Sequence, residues 1–251
     1  MISEAIRAHR KAVIPYVTAG YAGLDATGEI IRALDECGAA AIEVGIPFSD
    51  PMADGPVLQK ASLLALRAGF ALEGLLKRAG RWSASARAPL IVMSYLNPLM
   101  RRGIPETLAR MKDSGMQGLI VPDLPSDASR VYDMCLKAGI DLIRLIAPTT
   151  PEQRMREVIS QCRGFVYAVT VKGVTGARAS LSPDVRRQVR ALKNLSGLPV
   201  CAGFGVSSAR QVEEMLSFAD GVIVGSYLMS RIMESEDPVK AASEAFRALM
   251  G

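Results

Sequence analysis

The sequence predicts a closed (β/α)8 barrel, an α/β fold that a single domain of 251 residues can complete. Three observations support this fold: eight short apolar, β-branched runs, helical periodicity between them, and a chain length typical of such barrels. Runs that are apolar throughout indicate parallel strands covered by helices on both faces. An open doubly wound sheet is the alternative, but its usual GxGxxG turn is absent. We therefore expect one catalytic domain over residues 1–251.

The predicted strands and helices alternate along the whole chain. The strands are expected at residues 13–18, 40–45, 90–95, 118–121, 142–146, 165–170, 198–202 and 221–224. The clearest helices are expected at residues 26–37, 105–114, 129–137, 151–160, 184–193 and 209–217. An extra N-terminal helix is predicted at 3–11 and a terminal helix at 237–250. Capping signals mark two of the helix starts, Thr150 before Pro151 and Ser208 three residues before Gln211.

The charge pattern argues against nucleic acid as a partner. The formal net charge is only +5, and the 30 Lys and Arg residues are interleaved with 25 Asp and Glu residues. No basic stripe of the kind that follows a phosphate backbone is present. A small positive excess suits a small anionic substrate equally well.

Cysteine and histidine usage restricts the chemistry further. The four cysteines lie far apart without a CxxC pair, which favours reduced thiols in a cytoplasmic protein over disulfides or zinc. The single histidine, His9, leaves no basis for a histidine metal site or a Ser-His pair. We expect no metal, no signal peptide and no membrane span.

Two acidic residues are the candidate catalytic groups. Glu43 lies near the carboxyl end of the second strand, and Asp54 lies in the loop that follows. In a (β/α)8 barrel the active site is built at this end, and two carboxylates in different environments suit proton transfer. A structural ion pair remains the alternative for Glu43, and a turn role the alternative for Asp54.

Three glycine-rich junctions indicate a phosphate site. They follow strands six, seven and eight, and the loops after strands seven and eight are where such barrels commonly bind phosphate through backbone N–H groups. The junctions are 173–176, 203–205 and 225–226. Tyr16 and Tyr167, in the first and sixth strands, are expected to form an aromatic wall between this site and Glu43, with core packing as the alternative.

Several motifs together resemble the tryptophan synthase α subunit family, and the resemblance covers the whole chain. PFSDPxADGP is the most specific of them. The motifs are PYVTAG at 15–20, EVGIPFSDP at 43–51, DGP at 54–56, VPDLP at 121–125, GVTG at 173–176 and GFGVS at 203–207.

The resemblance implies a (β/α)8 barrel that cleaves indole-3-glycerol phosphate to indole and glyceraldehyde 3-phosphate without a metal or cofactor. It implies that Glu43 is the catalytic glutamate and Asp54 the catalytic aspartate. The implied substrate-binding residues are Tyr16, Tyr95, Tyr167 and Thr175. The implied phosphate-binding residues are Gly176, Gly205, Gly225 and Ser226.

The resemblance also implies a partner, a tryptophan synthase β subunit in an α2β2 heterotetramer, which would carry its own cofactor. Contact is expected near residues 51–55 and 97–102. Three other functions stay open at this point: a free-standing indole-3-glycerol-phosphate lyase, a non-catalytic regulatory barrel, and a Schiff-base aldolase that uses Lys172.

Overall fold

The structure, a computed structural model, describes residues 2–169, 183–203 and 205–251. Its eight strands pair in parallel in chain order, and β1 also pairs with β8, so the sheet closes. This confirms the predicted (β/α)8 barrel. The strands are β1 Val13–Thr18, β2 Ile42–Gly45, β3 Leu90–Met93, β4 Gly118–Ile120, β5 Asp141–Ile146, β6 Val166–Val169, β7 Val200–Gly203 and β8 Gly221–Val224.

Helices surround the barrel and include the expected N-terminal and terminal ones. Within the described ranges they are α1 Ile2–Ala8, α2 Leu24–Glu36, α3 Pro56–Arg67, α4 Leu72–Ser85, α5 Leu96–Arg102, α6 Ile104–Asp113, α7 Ser129–Ala138, α8 Glu152–Ser160, α9 Pro183–Leu195, α10 Ala209–Leu216, α11 Ser226–Met233 and α12 Pro238–Met250. Helices α3, α4 and α5 lie outside the helices predicted from the sequence. Among the residues that the structure describes, no helix has the length and apolar character of a membrane span.

The two helix starts with capping signals behave differently. The Ser208 side chain accepts a hydrogen bond from the backbone N–H of Gln211, 3.3 Å away, as predicted. The expectation for Thr150 was wrong, because Pro151 is the residue that precedes α8 and no side chain in the described part of the protein caps this helix. The Thr150 N–H instead donates to the carbonyl of Ala147, 3.1 Å away, so Thr150 lies within the preceding turn.

Alternation along the strands decides which side chains enter the barrel. Ala41 belongs to the buried cluster inside the barrel, whereas Ile42 and Val44 pack in the larger cluster that includes the surrounding helices. Because side chains alternate along a strand, Glu43 projects inward like Ala41. The same alternation directs Tyr16 inward with Ile14. Tyr16 and Glu43 are neighbours in the β1–β2 register.

Helix α1 covers the amino-terminal end of the barrel. Ile2 and Ile6 are fully buried and belong to the cluster inside the barrel. The Arg7 side chain donates to the carbonyl of Gly197, 2.6 Å away, which connects α1 to the chain just before β7. With this end filled, the opposite end, where the strands terminate, is left to form a site.

Candidate active site

Glu43 is held inside the barrel mouth by β2. Its side chain is 3% exposed, and it lines the cavity at the carboxyl ends of the strands. Its neighbours on β2, Ile42 and Val44, pack outward, so the Glu43 carboxyl group projects into the barrel. The structure therefore places Glu43 where the sequence analysis expected a catalytic group.

Asp54 reaches the same cavity from the loop between β2 and α3. Its N–H donates to the carbonyl of Pro51, 3.0 Å away, and its carbonyl accepts from the Gln59 side chain at 2.9 Å. The turn role proposed as an alternative is thus present in the backbone. It coexists with a side chain that lines the cavity, since a turn constrains the backbone and leaves the carboxylate free to point inward.

The cavity has a volume of ≈ 120 Å³ and brings most of the predicted site residues together. These residues come from β1, β2 and β6 and from the segments after β2, β7 and β8. They are Tyr16, Glu43, Asp54, Tyr167, Gly205, Gly225 and Ser226. Apolar side chains that the sequence analysis had not singled out complete the lining, among them Leu58, Met93, Ile120, Leu145 and Ile223. Inward parity on each strand was the signal that could have identified most of them.

Burial sets the protonation state of Glu43. Removal from water, and then the negative charge of Asp54, raise the pKa of Glu43 from 4.5 to about 8. A carboxyl group with this pKa is mostly protonated at neutral pH. Glu43 can therefore donate a proton to a substrate held in the cavity.

Asp54 ionises at lower pH than Glu43. Burial raises the pKa of Asp54 from 3.8 to about 6, and a hydrogen bond from the Tyr95 hydroxyl opposes that rise. At neutral pH Asp54 is mostly a carboxylate while Glu43 is mostly a carboxylic acid. Two carboxyl groups whose pKa values are separated in this way can serve as an acid and as an electrostatic stabiliser.

The Tyr16 ring occupies space that only a glycine leaves open. A Cβ on Gly45, the residue two positions after Glu43, would lie 2.0 Å from the Tyr16 hydroxyl oxygen. Burial, and then the charge of Asp54, raise the pKa of Tyr16 well above its ordinary value, so the hydroxyl stays neutral. Tyr167 is held neutral in the same way, by burial and then by the charge of Glu43. Both rings are uncharged walls of the cavity.

The opposite rim of the cavity carries backbone N–H groups. Gly225 is the N-cap of α11 and Ser226 its first residue, and within the described residues no side chain caps the N–H groups of this first turn. Gly205 has φ +69°, a left-handed conformation that other residues rarely adopt, in the segment after β7. An anion at this rim would meet unpaired N–H donors and the positive end of a helix dipole.

One residue of the predicted site does not line this cavity, and two others lie outside the described residues. Tyr95 lies behind the 53–54 segment, 2% exposed, and does not line the cavity. Its direct contact with substrate stays a prediction that this placement does not support. Thr175 and Gly176 lie outside the described residues, as does Lys172 of the aldolase alternative.

The fold and this cavity define a class of protein, a (β/α)8-barrel enzyme suited to proton transfer on a small molecule. Comparison with known proteins makes the assignment more specific. The family model described as "Tryptophan synthase alpha chain" matches residues 2–251. The chain belongs to this family.

Individual relatives agree with that membership. The tryptophan synthase alpha chain of Bacillus mycoides strain KBAB4 is 42% identical over 236 residues, which cover 94% of this chain and 91% of the relative. That of Bacillus thuringiensis strain Al Hakam is 41% identical over the same shares. A chain from the tryptophan synthase a2b2 complex of Pyrococcus furiosus superposes with a TM-score of 0.91 at 36% identity, covering 96% of this chain and 98% of that one. The resemblance drawn from the motifs is confirmed.

Proposed function

We propose that this chain is a tryptophan synthase α subunit that cleaves indole-3-glycerol phosphate to indole and glyceraldehyde 3-phosphate by a retro-aldol reaction. The observation that carries the proposal is the pairing of Glu43 and Asp54 on one cavity with pKa values near 8 and 6. At one pH, the reaction needs a proton donor and a negative group that stabilises positive charge on the substrate. Protonated Glu43 is the donor, and ionised Asp54 is the stabilising group. Family membership supports the same substrate and a carbon–carbon lyase activity.

Glu43 is the acid and then the base of the reaction. Protonated Glu43 gives its proton to indole C3, which places positive charge on the ring nitrogen. The bond between C3 and the glycerol side chain then breaks, and its electron pair returns to the ring. The adjacent side-chain hydroxyl loses its proton to Glu43 as it becomes the aldehyde carbonyl. Glu43 thus ends each turnover in its starting state.

Asp54 stabilises the charge that appears on the indole ring. Its carboxylate accepts a hydrogen bond from the ring N–H and faces the positive charge that develops when C3 is protonated. A group that stays ionised while Glu43 is protonated is required for this role. The lower pKa of Asp54 meets that requirement between about pH 6 and pH 8.

The phosphate of the substrate binds at the glycine-rich rim. Gly205, Gly225 and Ser226 lie at the cavity, and the first turn of α11 presents N–H groups without side-chain caps. A helix N-terminus is a ready site for a dianion. Tyr16 and Tyr167 then enclose the indole ring as flat, uncharged walls.

Residues around the 51–55 and 97–102 segments are proposed to contact a β subunit in an α2β2 heterotetramer. Two large apolar side chains there, Met52 and Met100, are 84% and 62% exposed. Such residues favour a protein partner, and the Pyrococcus furiosus relative occurs in an a2b2 complex. This partner also favours a subunit over the free-standing lyase considered from the sequence.

Two further properties belong to this proposal. Residues 1–251 act as one catalytic domain, which the closed barrel supports because its first and last strands pair. The chain works in the cytoplasm, which is supported by four free cysteines among the described residues.

An indole-release assay tests the proposed function. The purified chain is given indole-3-glycerol phosphate with and without a tryptophan synthase β subunit, beside Glu43→Gln and an exposed control, Glu236→Gln. We expect release by the wild type and by the control, faster with the β subunit, and loss with Glu43→Gln. If the folded wild type releases no indole even with the β subunit, the regulatory-barrel alternative replaces this proposal.

A further inference from the structure

Tyr95 is buried beside the active site without facing its cavity. It is the N-cap residue of α5, two residues after the end of β3, and the residue is only 2% exposed. Its ring packs against Phe48 with a centroid distance of 5.3 Å and an interplanar angle of 31°. Phe48 and Asp54 belong to the same loop, so Tyr95 packs underneath the segment that carries a catalytic carboxylate.

The Tyr95 hydroxyl contacts that segment at two adjacent residues. It accepts a hydrogen bond from the backbone N–H of Ala53, 2.9 Å away. A hydrogen bond between this hydroxyl and the Asp54 side chain opposes the rise in the pKa of Asp54. A phenol has one proton to donate and lone pairs to accept with, so both interactions can be made at once. A single hydroxyl therefore fixes the backbone and the side chain of the loop.

A carboxylate in the segment after β4 holds the backbone next to Tyr95. The Oδ1 atom of Asp123, in the segment after β4, accepts from the N–H of Leu96, 2.9 Å away. Leu96 is the first residue of α5, and the Tyr95 side chain itself makes no capping bond. Asp123 thus supplies a cap from outside the helix. At the other end of α5, Arg102 pairs with Glu73 of α4.

We propose that Tyr95 is a positioning residue, whose hydroxyl holds the 53–54 segment so that the Asp54 carboxylate faces the substrate, and that Asp123 fixes Tyr95 through Leu96. The proposal rests on the function proposed above, because it concerns how Asp54 is held for that reaction. It gives Tyr95 a role different from the substrate contact that the sequence resemblance implies.

The charges around Asp54 make the role of this hydroxyl specific. In the described part of the chain, the titratable groups that face Asp54 are Glu43 on β2, Tyr16 on β1, Tyr167 on β6 and Tyr95. Burial raises the pKa of each of these four groups, so each holds its proton near neutral pH. Tyr95 is the member of this set whose hydrogen bond lowers the pKa of Asp54. Removing its hydroxyl should move the ionisation of Asp54 to higher pH.

Tyr95→Phe tests the hydroxyl while keeping the ring against Phe48. The matched control is Tyr132→Phe, on α7 and outside the cavity lining. We expect Tyr95→Phe to lower kcat roughly tenfold to a hundredfold, as misplacement of a catalytic group does. We expect KM to stay within about twofold. The Asp54 carboxyl, followed by carbon-13 NMR without substrate, should titrate at higher pH than in the wild type, and Tyr132→Phe should change neither quantity.

Asp123 provides a second test that separates a hydrogen bond from charge. Asp123→Asn keeps an oxygen that can accept from the Leu96 N–H, whereas Asp123→Ala removes it. We expect Asp123→Ala to lower kcat and raise the pKa of Asp54 in the same direction as Tyr95→Phe. Asp123→Asn should restore both close to the wild-type values.

The outcomes separate this proposal from the proposed function. A wild-type kcat and an unchanged Asp54 titration in Tyr95→Phe would overturn the positioning role, even while the wild type still releases indole. A rise in KM alone would overturn it in favour of a direct substrate contact. If the wild type releases no indole, the proposed function fails, whereas the NMR titration still decides whether Tyr95 holds Asp54.

Discussion

Glu43 and Asp54 line one cavity but ionise in separate pH ranges. Glu43 is nearly fully buried in a strand, whereas Asp54 is half-buried in a loop and has a hydrogen-bond donor in Tyr95. The difference in environment separates their pKa values to about 8 and about 6. Between these values one group donates protons and the other carries charge, which is the state that the proposed reaction requires.

The pH profile of kcat/KM should be bell-shaped. Asp54 must lose its proton and Glu43 must keep its proton, so activity should rise through about pH 6 and fall through about pH 8. Because the two charges interact, the two limbs report the pair as a whole. Steady-state rates of indole release between pH 5 and pH 9 check this profile. A rate that climbs steadily to pH 9 would contradict a protonated Glu43.

Glu43→Gln should stabilise the protein at alkaline pH while abolishing turnover. The pKa of Glu43 is raised in the folded state to about 8 from an ordinary 4.5, so the folded state binds this proton more tightly. The free energy of unfolding is therefore largest below about pH 4.5 and falls as pH rises towards 8. A neutral glutamine removes this loss, on the order of a few kcal/mol at pH 8.

Thermal unfolding of wild type and Glu43→Gln at pH 5 and pH 8 measures this effect. The melting temperatures should differ more at pH 8, with the variant higher. The exposed Glu236→Gln should follow the wild type at both pH values. Equal melting temperatures at pH 8 would mean that ionisation of Glu43 does not destabilise the folded protein.

Asp54→Asn should lower kcat by roughly a hundredfold or more, because it removes a negative charge aimed at developing positive charge. The fold should be spared, since the backbone bonds at residue 54 do not involve the carboxylate. Single-turnover kinetics and far-UV circular dichroism check the two parts. An increase in KM with kcat unchanged would indicate ground-state binding instead of charge stabilisation.

Ser226→Asp should weaken phosphate binding without unfolding the chain. A carboxylate in the first turn of α11 is favourable for the helix but repels a phosphate at the same N-terminus. We expect KM for indole-3-glycerol phosphate to rise by roughly tenfold, an amount typical of one lost or opposed charged interaction. Ala71→Asp, at the N-cap of α4 and outside the cavity lining, is the control. An unchanged KM for Ser226→Asp would place the phosphate elsewhere.

The barrel could be predicted from sequence because its signals are local. The predicted bounds of β1 and β8 match the observed ones, since each is a compact, largely apolar and β-branched run. Helices α3 and α4 were not marked, because together they form one long connection between β2 and β3, where a standard unit has a single helix. Thr150 failed as a cap because the adjacent Pro151 adopts the extended conformation that begins the helix one residue later.

The site was only partly predictable, because some of its residues are positioned by contacts between distant parts of the chain. The position of Glu43 follows from strand parity, which the sequence contains. The role of Tyr95 depends on contacts between segments distant in the chain, such as Ala53 with Tyr95 and Leu96 with Asp123. Nothing in the sequence around Tyr95 indicates that its side chain packs beneath the loop between β2 and α3. Contacts of this kind form only when the closed barrel brings the segments together.

Carbon-13 NMR of the side-chain carboxyl groups, with Glu43→Gln and Asp54→Asn as assignment controls, measures both ionisations without any substrate. The expected result is a Glu43 midpoint near pH 8 and an Asp54 midpoint near pH 6. A Glu43 midpoint below that of Asp54 would contradict the account, because a glutamate already ionised at neutral pH has no proton to give to the indole ring.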